Sequence, residues 1–133
     1  MKLVINGRLP GLNEYIDACR RTPYKANDMK KEAEELVFWA IRAAKLGPVP
    51  TPCRMIYTWY EPNKKRDMDN ISAFGRKVIQ DALVKAKKLP GDGWAYISGF
   101  ADDFQVDRKN PRIEIEFEKG EIKNEKSKKT QSK

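Results

Sequence analysis

Histidine is absent from the 133-residue chain, cysteine occurs twice, and no apolar run approaches the roughly 20 residues needed to cross a bilayer. Each absence removes a class of function. Without histidine there is no Ser-His-Asp triad, no HNH-type nuclease, no His-ligated zinc and no imidazole general base. Catalysis then has to use carboxylates, Lys, Ser, Cys or a metal held by oxygen. Cys19 and Cys53 are too few for a disulfide scaffold or a four-thiolate zinc site, and no signal-like segment precedes them. With no imidazole to activate a thiol, both read as packing residues of a reduced, cytoplasmic protein away from the membrane.

What the chain has is positive charge, 27 Lys plus Arg against 19 Asp plus Glu, for a net charge of +8. Half of that excess lies beyond Glu118, where six lysines face two glutamates in a Lys/Ser/Glu-rich segment without a core-forming pattern. Such a segment cannot repay its ordering entropy, so residues 119–133 are expected to be a disordered basic tail behind a single domain, 1–118. Basic charge favours a nucleic-acid partner, and it fits a solubilising tail equally well.

Residues 1–9 alternate as a strand broken at Asn6-Gly7, and residues 10–26 read as a long loop holding one helical turn at most. Asn27 or Asp28 caps a helix reaching Leu46, with Met29, Ala33, Leu36, Val37, Ala40, Ile41 and Ala44 at helical spacing. Thr51 to Glu61 reads as a strand covered on both faces. Asp69 is the natural cap of a second helix along Ile71, Phe74, Val78, Ala82 and Ala86. Residues 95–107 suggest a strand with an acidic kink, and Arg112 to Glu118 a half-exposed strand closing a hairpin. The expectation is an α+β domain of about four strands in a small mixed sheet with two helices, in the order β-α-β-α-β-β.

The chemistry concentrates in Lys64-Lys65-Arg66-Asp67-Met68-Asp69-Asn70. On extended backbone, Asp67 and Asp69 would point to one side and share a hard cation while Met68 turns into the core. The three preceding cations suit a phosphate that bridges metal and protein. Asp-x-Asp is weak alone, since caps and surface loops produce it too. Mg²⁺ takes one or two carboxylates directly, so a further acid should come from Asp92 or from the Asp102-Asp103 pair, and spacing does not choose between them.

Arg66-Asp67-Met68-Asp69-Asn70 entering a helix, Asp81-Ala82-Leu83-Val84-Lys85-Ala86 at its end, the acidic turn at Asp92, Asn110-Pro111-Arg112-Ile113-Glu114-Ile115 and Leu9-Pro10-Gly11-Leu12-Asn13 together resemble the RusA-type Holliday junction resolvases and their relatives in phages and prophages of Gram-positive bacteria. The resemblance spans nearly the whole body. It implies a small α/β homodimer with no nucleotide cofactor, which cuts four-way DNA junctions with Mg²⁺, or with Mn²⁺ in its place. It carries Asp67, Asp69 and Asp92 over as the metal-binding catalytic set and Lys77 as the basic catalytic residue on the helix.

Helix geometry places Lys77 about 80° round from Asp69 and about 12 Å along the axis, so it would hold a neighbouring phosphate, with Arg76 competing for that role. A helix from Asn70 to Ala86 is about 24 Å long. Lys87 to Asp92 return at most roughly 20 Å. Asp92 therefore meets Asp67 and Asp69 only if the helix is shorter or bent near Gly75, or if it serves the other subunit. Lys64, Lys65, Arg66, Asn70, Arg20 and Arg21, with Arg54, are candidate nucleic-acid contacts. Tyr15 and Tyr24 are candidate stacking platforms, and Trp94 fits core packing better. Two alternatives compete: a metal nuclease for flaps or other branched DNA, to which Glu121-Ile122-Lys123 adds a superficial Glu-x-Lys match, and a DNA-binding module without catalysis.

Overall fold

The structure is a computed structural model and describes residues 1–121; the rest of the expected tail, and with it Ile122 and Lys123 of the Glu-x-Lys match, lies outside the described residues. Among the described residues seven elements follow one another: β1 (Lys2–Asn6), α1 (Leu12–Arg21), α2 (Pro23–Ala43), β2 (Cys53–Glu61), α3 (Met68–Lys85), β3 (Ile97–Val106) and β4 (Arg112–Lys119). The α+β class holds, with a four-stranded mixed sheet and three helices rather than two. Lys119 belongs to β4, and the Gly120 N–H donates to the Pro52 carbonyl at 2.8 Å, so the body continues past residue 118.

The additional helix, α1, occupies the stretch expected to be loop. It buries only Ala18 fully, too little to show as a hydrophobic period. Contacts far away in sequence hold it, notably Tyr15 stacked on Phe74 of α3 with ring centroids 4.5 Å apart. Its charges were a usable signal: Glu14 in the first turn and Arg20 and Arg21 in the last complement the helix dipole. The next helix also starts before Asn27. Thr22 accepts a hydrogen bond from the Lys25 N–H at 3.1 Å, and Pro23 takes the first helical position, where its missing N–H costs nothing.

Strand order is β1-β4-β2-β3, with β2 and β3 parallel and the other pairs antiparallel. The expected terminal hairpin is therefore absent, because β2 lies between β3 and β4. The crossover through α3 sends β3 to one edge of β2, and β4 takes the other. The acidic kink is absent too: Asp102 and Asp103 sit within the unbroken pairing of β2 with β3. All three helices cover one sheet face, so β2 encloses Cys53, Met55, Tyr57, Trp59 and Glu61 on that face and leaves Ile56, Thr58 and Tyr60 half-buried on the other. Leu3, Ile5, Val37, Ile41, Tyr57, Trp59, Val78, Ile79, Leu83 and Ile115 form the core, each contributing about 1.5–3 kcal/mol by leaving water.

Helix α3 runs through Gly75 without a break. A Cβ there would stand 3.0 Å from the Trp59 ring, so the glycine serves the close approach of helix to sheet. Helices α2 and α3 end alike. Lys45 and Lys87 adopt left-handed backbone with φ of 51° and 61°. Their N–H groups bond the Arg42 and Val84 carbonyls, and the following Leu46 and Lys88 N–H groups bond Ile41 and Leu83. Glycine is the usual residue at this position, and a residue with a Cβ costs about 1 kcal/mol there.

Replacing Thr22 by Ala should lower stability by about 1 kcal/mol in urea denaturation, the usual cost of a lost cap. Asp28→Ala, at the start expected from sequence, should leave the midpoint nearly unchanged.

Candidate active site

The loop between β2 and α3 carries the Asp-x-Asp motif, and a buried carboxylate fixes it. Glu61 is 6% exposed and ends β2 on the helix-covered face. Arg8 bonds it at 2.8 and 3.3 Å, and Arg66 at 3.0 and 3.1 Å. Burial pushes the Glu61 carboxyl up, but hydrogen bonds from Arg66 and Arg8 outweigh this and hold it below its ordinary value. Arg66 also reaches the Leu9 carbonyl and Glu14. All three of its guanidinium nitrogens are thus engaged within the chain. Asn70 is engaged too: its Oδ1 accepts the Asn13 N–H at 2.7 Å. Gly11 passes so close that a Cβ would meet that oxygen at 2.8 Å.

Helix α3 begins at Met68, so the residue at the cap position is Asp67 rather than Asp69. Asp67 has extended backbone and Asp69 is already helical, which breaks the expected alternation. Met68 is 61% exposed instead of packing in the core. The two carboxylates nonetheless share the positive end of the α3 dipole. Both are exposed, and neither makes a hydrogen bond or ion pair with a described side chain. Asp67 lines a cleft of about 370 Å³ with Glu61, Lys64, Met68, Ile71 and Phe104. Exposed Lys64 and Lys65 stand at this end, whereas Arg20 and Arg21 lie on the last turn of α1, with Arg21 paired to Asp17 at 3.2 Å.

The remaining candidates sort onto two sides of α3. Lys77 bonds Asp92 at 2.8 Å and Asp81 at 3.2 Å; the Asp92 bond raises the Lys77 pKa, and Lys77 lowers that of Asp92. Asp92 thus folds back to the level of Lys77, about 12 Å along the axis from Asp69, and stops there. Arg76 instead pairs with Asp102 of β3 and lies 4.3 Å over the Phe100 ring. Trp59 donates to the other Asp102 oxygen at 2.9 Å. Asp69 and Arg76 are seven residues apart, nearly two full turns, so Asp102 stands on the Asp69 side of the helix and Asp92 does not. Among the described residues, no three acidic or cysteine side chains are close enough together to hold a metal ion.

Sequence reasoning missed Arg8 and Glu61 altogether. The one available signal was a glutamate at an inward-facing strand position, which demands a buried cation. Trp94 is 71% exposed and Tyr24 81%, while Tyr15 belongs to the α1–α3 contact; the expectation that Trp94 packs in the core fails, since the turn before β3 leaves its side chain largely in solvent. Arg54 pairs with Glu118 at 3.6 Å on the sheet face away from the helices. No family model matches the chain, and no curated protein matches it significantly. No helix among the described residues is long and apolar enough to cross a membrane.

Glu61→Gln should cost about 3 kcal/mol at neutral pH, because two guanidinium groups lose a buried counter-charge. A depressed carboxyl stabilises the fold above its ordinary value of 4.5 and loses that contribution as pH falls through the folded value. Wild type and variant should therefore converge in urea midpoint as the pH drops below 4.5.

Proposed function

We propose that the chain is a metal-dependent endodeoxyribonuclease that hydrolyses phosphodiesters of four-way DNA junctions as a symmetric dimer. The observation that carries this reading is the pair of free carboxylates, Asp67 and Asp69, exposed at the start of α3 beside Lys64. An unpaired acidic pair next to lysines is suited to a cation and the phosphate it binds. The oxygen-only donor set fits Mg²⁺ or Mn²⁺, which need one or two direct carboxylates and complete their shells with water. When bound, the ion would supply charge neutralisation at the scissile phosphate and acidify a water.

The chain's own residues do the positioning. Asp67 and Asp69 would hold the cation, and Lys64 and Lys65 would attract the phosphate. Arg66 acts from behind, keeping the loop in place through Glu61. Of the two candidates for a third carboxylate, Asp102 lies on the Asp69 side of α3, and it would have to leave Arg76, about 10.5 Å along the axis from Asp69, to join the cation. Asp92, kept by Lys77 on the other side, would serve only a site shared between subunits. Two-fold symmetry of a dimer matches paired strands of a four-way junction, which is the physical reason to expect two copies.

Cutting of a synthetic junction in Mg²⁺ should fall at least about a hundredfold in Asp67→Asn and Asp69→Asn, since losing even a group that merely supports a metal ligand can cost that much. Junction binding should survive. Asp102→Asn should lose cutting and Asp92→Asn should keep most of it; the reverse pattern would return the third position to Asp92. A wild-type chain that binds junctions but cuts none in Mg²⁺ or Mn²⁺ would leave a passive DNA-binding module.

A further inference from the structure

A second cavity, of about 360 Å³, opens at the far end of α3, where the C-termini of α2 and α3 lie together. Arg42, Lys45 and Lys88 line it, and no acidic side chain does. Arg42 also stands 5.6 Å over the ring of Trp39, which is 62% exposed. Cationic side chains around one opening, with no carboxylate among them, suit the phosphates of a nucleic acid.

The backbone supplies an independent observation. Both helices place a lysine at the left-handed position where glycine would be less strained: Lys45 with φ 51° and Lys87 with φ 61°. Complementing the helix dipole does not require this, because a cation within the last turn does the same. What the position offers is a charged side chain just past each helix end: Lys45 lines the cavity itself, and Lys87 stands in the chain between Ala86 and Lys88, which line it. Backbone strain repeated at two adjoining sites calls for a functional explanation.

We propose that Arg42, Lys45, Lys87 and Lys88 form a second contact for the phosphate backbone of duplex DNA, at the opposite end of α3 from Asp67 and Asp69. Helix α3 has 18 residues. Its length is then about 27 Å, less than the roughly 34 Å of one duplex turn. One arm of DNA can therefore touch both ends. The proposal takes its ligand class from the reading above but requires no cleavage.

The test is fluorescence-anisotropy titration of a labelled duplex by the full chain in EDTA at several salt concentrations, comparing wild type with K45G, K87G and the double variant. Glycine suits both backbone positions, so thermal melts should show equal or higher melting temperatures. Each substitution should weaken binding about fivefold at physiological salt and reduce the salt slope by about 0.9. Lys31→Gln, which removes a charge elsewhere on α2, should do much less. Unchanged affinity and slope in the double variant would overturn the proposal, as would an equal loss in Lys31→Gln. So would weaker binding to phosphatidylserine vesicles with DNA binding intact, since the patch would then be a membrane contact. Weakened duplex binding by a chain that cuts no junction would sustain this contact and defeat the nuclease reading alone.

Discussion

The Arg8–Glu61–Arg66 cluster is the constraint on which the rest of the candidate site depends. A carboxylate at the buried end of a central strand is destabilising unless cations meet it, and both cations come from segments with no regular structure of their own. Arg8 brings in the chain after β1. Arg66 brings in the loop before α3 and, through Leu9 and Glu14, the start of α1. One buried charge thus fixes three connections around the point where Asp67 and Asp69 emerge. The loop needs no hydrophobic content of its own to be held.

The same pairing logic redistributes the positive charge. Arg66, Arg76, Lys77 and Arg21 all have acidic partners within the chain. Their charge is spent on structure and adds little to the field that an approaching phosphate meets. Among the described residues, the exposed cations without an acidic partner include Lys64 and Lys65 at one end of α3 and Lys45 and Lys87 past the helix ends at the other. Basic groups at both ends of one helix suit an extended polyanion better than a compact one.

Much of the fold was legible in the chain. The helical spacing of Val37 and Ile41, the inward line of Met55, Tyr57 and Trp59, and the alternation of Ile113, Ile115 and Phe117 are local periods that burial enforces. Helix α1 was not legible, because its stability comes from Tyr15 meeting Phe74 rather than from its own pattern. Nor was the pairing of β4 with β2, since an alternating strand looks the same beside either neighbour.

The residues alone determined where the candidate chemistry sits: an acidic pair at a helix start, behind a run of cations, in a chain without histidine. They also determined the α+β class through the order of periods. Only the tertiary structure decided which distant acid faces which side of α3, because that depends on β3 crossing to the edge of β2 and carrying Asp102 to Arg76. Local periodicity records how a segment is buried. It carries no information on which other segment buries it.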